Sequence, residues 1–296
     1  MSFSTEVKNE LLSLENTPCC KHALSYALAL FGRAFSSEEL SMLTENSDIA
    51  AAYCDALCYL SGHIIIPTRT DGGKYKITVT DKKFLNAIFD KTGSATPNVK
   101  RRVNFANISE PCCFSAFLRG VFLACGTVTD PQKEYHLEFS VSSKGLCDDL
   151  LRVFDEYEPT PHVTQRGGSY TVYFKNSTDI EDVLAIMGAT ENSMAYMQAK
   201  IVKDIRNTVN RKVNFESANL ARTIAAATKQ YEAIAKIKEK TGFDALPPEL
   251  REIAALRFEN RELSNSEIAS MLSQPLTVSG VNHRFQKLIK IAQELK

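Results

Sequence analysis

Two stretches decide the fold: PCCKHALSYALALFGR at residues 18–33 and PCCFSAFLRGVFLACGT at residues 111–127. Each sets Pro-Cys-Cys before an apolar helical run that closes on Gly, a common helix terminator. The segments downstream of the two stretches also match each other. Residues 36–45 and 135–143 are strand-like, the latter alternating as YHLEFSVSS, and helical patterns come next at 48–60 and 144–157. Gly-rich turns then come at Asp71-Gly72-Gly73 and Arg166-Gly167-Gly168, leading into the alternating strands KYKITVT and SYTVYF. Helices at 82–91 and 178–187 close the two halves. The unit recurs at about 95 residues, as pseudo-repeats 19–95 and 112–190, too long a period for a solenoid. The pattern predicts an α+β fold, a duplicated domain with pseudo-two-fold symmetry.

The chain has 296 residues, room for two or three domains, and a formal net charge of zero. That balance hides a segregation. Residues 34–60 carry five acids (Glu38, Glu39, Glu45, Asp48, Asp55) and no Lys or Arg, whereas residues 200–240 carry ten basic residues against four acidic. A polyanion is drawn to the second region and repelled by the first. The N-terminal MSFSTEVKNELLSLE lacks the apolar core of a signal peptide, and no run of about eighteen apolar residues exists to span a membrane. A cytoplasmic, nucleoid-associated protein is expected. The eight cysteines then read as reduced thiols. Cys19-Cys20 and Cys112-Cys113 are vicinal, and Cys54 and Cys58 lie one turn apart without a His at zinc-finger spacing, so no metal ligand and no cofactor are expected.

The last stretch, LPPELREIAALRFENRELSNSEIASMLSQPLTVSGVNHRFQKLIKIAQELK at 246–296, reads as three helices. Pro247-Pro248 opens the first, where Pro is tolerated, and Leu250, Ile253, Ala254 and Leu256 form its apolar side. Ser264 or Ser266 caps the second, with Ile268, Ala269 and Leu272 as core. After the turn Ser273-Gln274-Pro275-Leu276, Thr277 caps the third, on which Val281, Phe285, Leu288, Ala292 and Leu295 make one buried stripe. The opposite face shows Ser279, Asn282, His283 and Gln286 at i, i+3, i+4 and i+7, flanked by Arg284, Lys287 and Lys290. This is the layout of a helix-turn-helix, whose second helix reads base edges while basic flanks hold phosphates. Upstream, Lys200, Lys203, Arg206, Arg211 and Lys212 are candidate DNA-backbone contacts, and residues 219–240 read as a helix with Leu220, Ile224, Ala227, Tyr231 and Ile234 on one stripe. The expected domains are 1–218, a connector at 219–242, and a helix-turn-helix domain at 243–296.

LRGVFLACG at 118–126 resembles the helix signature of LAGLIDADG homing endonucleases, and LSYALALFG at 24–32 is a weaker match whose Gly comes one residue earlier after the Cys pair. The resemblance implies that the two signature helices pack on the pseudo-dyad, with Gly120 and Ala124 allowing close approach. It also implies a metal-binding acid just before the final Gly. Here those positions hold Cys125 and Phe31, neither of which can hold magnesium, and the nearest acid, Asp130, reads as a turn residue. No catalytic residue is expected.

Three segments in order, CCFSAFLRGVFLACGTVTDP, NRKVNFESANLARTIAAA and SGVNHRFQKLIKIA, resemble the WhiA family of bacterial regulators over nearly the whole chain. That family joins a degenerate LAGLIDADG domain to a helix-turn-helix. Membership implies promoter binding in sporulation, cell division and chromosome segregation. The expected function is therefore non-enzymatic, sequence-specific DNA binding in transcription regulation, with double-stranded DNA and transcription proteins as partners and no membrane. The rival readings are an active LAGLIDADG-type endonuclease, and an N-terminal domain that binds a protein or small ligand.

Overall fold

In the computed structural model, residues 2–94, 101–155, 157 and 159–295 are described. Residue 95, the expected end of the first repeat, Glu156 within the expected helix 144–157, and Lys296 lie outside them. The chain forms two compact units, residues 1–204 and 205–296.

The first unit opens with helix α1 (Phe3–Ser13). The first repeat comprises α2 (Pro18–Leu30), β1 (Ala34–Phe35), β2 (Leu40–Thr44), α3 (Ser47–Ser61), β3 (Thr68–Arg69), β4 (Tyr75–Val79) and α4 (Lys82–Thr92). The second has the same order: α5 (Pro111–Cys125), β5 (Gly126–Val128), β6 (Leu137–Val141), α6 (Lys144–Phe154), β7 (His162–Arg166), β8 (Ser169–Phe174) and α7 (Ser177–Met187). Each repeat builds a four-stranded antiparallel sheet, ordered β1-β2-β4-β3 and β5-β6-β8-β7. One face of each sheet is apolar, as Leu40, Met42, Ile77 and Val79 in the first and Leu137, Phe139, Val172 and Phe174 in the second are all buried. The fold is α+β, with both repeats sharing one hydrophobic core.

α2 and α5 are apolar nearly all round, and a helix of that kind has to lie inside the core. They pack against each other, and at Gly120 the two backbones come close. A Cβ built there meets Ala27 Cβ and the Leu24 carbonyl oxygen at 2.7 Å each. Both helices begin with Pro at the first turn, where the absent N–H costs nothing. Their starts adjoin, placing Cys19 Sγ 3.7 Å from Cys112 Sγ. Hydrogen bonding with Thr17, then Cys112, draws the Cys19 thiol down to about 7, while the neighbouring Cys20 and Cys19 push Cys112 up.

Four elements differ from the sequence reading. β1 and β5 are too short for alternation to reveal, and the strand expected from residue 36 starts at Leu40 because Ser36 N–H donates to the Glu39 carbonyl in a tight turn. The helix expected from Asn219 is instead α8 (Thr190–Lys240), which runs through the division between the units and the expected boundary at 218. Its start is held from a distance: the Glu10 carboxylate of α1 accepts from Glu191 N–H (2.7 Å), Asn192 N–H (3.0 Å) and Asn192 Nδ2 (2.6 Å). A carboxylate on free N–H groups at the positive end of a helix stabilises that end. Of the apolar stripe on this helix, Leu220 and Ile224 are 61% and 56% exposed, Ala227 is buried, and Ile234 enters the core.

Gly120→Ala should lower the thermal midpoint of the full-length protein. The substitution gains up to about 1 kcal/mol of helix propensity but overpacks a backbone contact, at a cost of about 1–3 kcal/mol. Glu10→Ala should cost about 1 kcal/mol, the usual value of a lost helix N-cap, read as a lower denaturation midpoint with an unchanged slope.

Candidate nucleic-acid interface

The second unit contains the rest of α8, a short 3-10 turn (Phe243–Ala245), α9 (Pro248–Glu259), α10 (Asn265–Met271) and α11 (Val278–Glu294). Ser264 caps α10 in a reciprocal box: its Oγ accepts from Glu267 N–H at 3.2 Å, and Glu267 Oε2 accepts from Ser264 N–H at 2.7 Å. Thr277 Oγ1 caps α11 by accepting from Gly280 N–H at 3.1 Å. The core joins Ile234 and Ile237 of α8 to Leu250, Ile253, Ile268, Val281, Phe285 and Leu288. At the far end of α11, Lys236 Nζ donates to the Ala292 carbonyl (3.0 Å) and the Leu295 carbonyl (2.5 Å), a cation placed where the helix dipole is negative.

Two polar side chains hold the turn geometry, and the sequence reading passed over both. Arg257 is fully buried. Its Nε donates to Gln230 Oε1 (3.0 Å), Nη2 to Asn265 Oδ1 (2.9 Å), and Nη1 to the carbonyls of Asn260 (3.3 Å) and Leu263. The guanidinium also lies over the Phe285 ring, 5.1 Å from its centre, so one side chain ties α8, the α9–α10 turn, α10 and α11. Burial without a carboxylate partner lowers its pKa. Glu252 secures the next turn, accepting from Ser273 N–H at 2.7 Å and Ser273 Oγ at 2.9 Å. A signal for Arg257 was present: it continues the core stripe Leu250, Ile253, Ala254 at helical spacing, where a charge needs a built set of acceptors.

On α11 the face opposite the core carries Ser279, Asn282, His283 and Gln286, all exposed, with Lys287 and Lys290 exposed beside them. Arg284 differs. It is half-buried, and Nη1 donates to the Glu249 carbonyl of α9 at 3.0 Å, while Lys287 Nζ lies 3.3 Å from Glu249 Oε1. Arg284 therefore braces α9 against α11 rather than standing free. Among the upstream candidates, Lys200 bonds Thr178 Oγ1 (3.1 Å) and pairs with Glu181 (3.4 Å). Lys203 donates to the Lys133 carbonyl (3.3 Å) and sits over the Tyr135 ring. Both are engaged inside the first unit. Arg206, Arg211 and Lys212 are exposed, with Arg211 Nε turned back to the Asn207 carbonyl at 3.2 Å.

At the closing ends of the signature helices, Phe31 is buried with its ring 5.9 Å from that of Phe117. Cys125 Sγ donates to the Val121 carbonyl at 3.3 Å, and loss of solvation pushes its thiol up to about 12. Asp130 is a turn residue, its Oδ1 accepting from Gln132 N–H at 2.8 Å. A buried ring and a neutral thiol occupy the two positions at which the signature resemblance implies a metal-binding acid.

Comparison with known proteins agrees with both halves of this geometry. Residues 209–292 match the family described as the WhiA C-terminal HTH domain, and residues 114–206 match the WhiA LAGLIDADG-like domain. A probable cell division protein WhiA of Carboxydothermus hydrogenoformans is 33% identical over 315 residues, spanning 100% of this chain and 98% of the relative. The chain belongs to the WhiA family. Another member, from Bacillus licheniformis, is 34% identical over 309 residues, with 100% of this chain and 98% of the relative aligned. The crystal structure of full-length WhiA from Thermatoga maritima shares the fold at a TM-score of 0.58 and 24% identity, covering 100% of this chain and 99% of that one. The second repeat and the start of α8 thus lie in the LAGLIDADG-like part of a WhiA protein, and α9 to α11 lie in its helix-turn-helix part. Among the described residues no helix is long and apolar enough to cross a membrane.

Arg257→Lys should fail to replace the guanidinium, because an ammonium cannot reach four acceptors in a fixed plane. Leaving buried acceptors unpaired costs about 1–3 kcal/mol each, so the second unit should lose helical circular dichroism at a lower temperature than in the parent protein.

Proposed function

We propose that this WhiA-family chain is a non-enzymatic, sequence-specific DNA-binding transcription regulator, acting in the cytoplasm on nucleoid DNA. The observation that carries the reading is the exposed face of α11: Ser279, Asn282, His283 and Gln286 point away from a core built on Val281, Phe285 and Leu288. Asn and Gln offer the paired donor and acceptor that match adenine in the major groove. Lys287 and Lys290 supply charge for flanking phosphates. In this reading residues 243–296 form the base-reading domain, 219–242 its connector, and 1–218 the part that adds backbone contacts through Arg206, Arg211 and Lys212 or engages transcription proteins. The names of its relatives support targets in cell division, and the family resemblance extends this to sporulation and chromosome segregation genes. The absence of carboxylates at Phe31 and Cys125 argues against the nuclease reading.

Genome-wide mapping of bound sites, followed by binding titrations on one of them, tests this. Asn282→Ala should relax discrimination at one base pair by about 1–3 kcal/mol. Lys290→Ala should weaken all duplexes alike and reduce the salt slope by about one. Arg284→Ala should lower stability together with affinity. Equal binding of cognate and random DNA by the parent protein, or magnesium-dependent duplex cleavage, would sink the proposal.

A further inference from the structure

The two Pro-Cys-Cys motifs open α2 and α5, and Phe31 and Cys125 close the opposite ends of the same helices. The fold brings three of their sulfurs together. Cys19, Cys20 and Cys112 have Sγ atoms that all lie within 4.8 Å of one another, and among the described residues this is the cluster of thiol, imidazole and carboxylate groups suited to hold a metal. Cys19 and Cys112 are 3.7 Å apart. A tetrahedral zinc with bonds of about 2.3 Å separates its sulfur ligands by about 3.8 Å, so this edge already has the length that a shared cation requires. A disulfide would need the same two atoms to close to about 2.05 Å and would leave Cys20 without a role.

We propose that Cys19, Cys20 and Cys112 form a trithiolate site for a soft divalent cation of the zinc class, linking the two repeats at the starts of α2 and α5. The ligand set is matched to that class, since thiolates select zinc and related thiophilic ions over magnesium or calcium. Both helix N-termini present their positive ends to the cluster, which favours three thiolates at one place. Thr17 Oγ1, 3.3 Å from Cys19 Sγ, supplies a hydrogen bond outside the ligand set. Cys112 is exposed, so the cation has a route in and its fourth position opens to solvent. Residues 19 and 112 are 93 apart in sequence, and a bridge between them restrains a long loop of the unfolded chain.

Full-length reduced protein titrated with Zn(II) against a chromophoric chelator should bind one equivalent. Co(II) in its place should show thiolate-to-metal charge transfer and the intense visible bands of a tetrahedral site. Cys112→Ser, at an exposed first-turn position where Ser is well accommodated, should weaken Zn(II) by more than about 100-fold, beyond the usual loss from a supporting residue. Cys58→Ser should leave the affinity unchanged. Independently of any variant, Zn(II) should protect Cys19, Cys20 and Cys112 of the parent protein from maleimide, read by peptide mass, while Cys58 still reacts. Alkylation of all three at the metal-free rate, Zn(II) affinity unchanged in Cys112→Ser, or a Cys19–Cys112 disulfide recovered from Zn(II)-treated reduced protein would overturn the site.

Discussion

The contact between Gly120 of α5 and the α2 backbone around Leu24 and Ala27 sets the distance between the two repeats, and the first unit is built outward from it. Two helices that are apolar on nearly every side cannot face water, so each must be covered by the other and by its own sheet. Because Gly120 has no side chain, the backbones meet closely enough for both sheets to share one core. The same approach brings the Pro-Cys-Cys starts together, which is why a cysteine cluster arises there from residues far apart in the chain.

Positions 31 and 125, at the closing ends of α2 and α5, carry no carboxylate, and the packing of the two helices does not call for one. The interface is made by the middle of α2 and α5, through Ala27, Phe117 and Gly120, and the residue before each closing Gly need only fit its surroundings. Phe31 does so as a buried ring and Cys125 as a neutral thiol.

The second unit shows a different economy. Its middle helix is short, α10 spanning only Asn265–Met271, so apolar burial alone leaves the turns on either side underdetermined. Arg257 and Glu252 supply the missing definition by hydrogen bonds to backbone carbonyls, an N–H and side chains at both turns. The polar face of α11 can be left free for a ligand because its orientation is set from below.

Much of this was legible in residue order. Period, capping residues and turn glycines marked most helices, the repeated unit and the face of α11, because those signals act between residues a few positions apart. Thr277, Ser264 and Pro248 do in the structure what their local positions imply. What the sequence could not determine were the contacts between distant residues. The two-residue β1 carries no period, α8 begins at Thr190 because Glu10 supplies its cap, and Arg284 is drawn to the Glu249 carbonyl. Zinc-finger spacing argued against a metal site, yet Cys19, Cys20 and Cys112 converge. Spacing along a chain reports distance only within one element, and the tertiary fold alone decides which elements lie side by side.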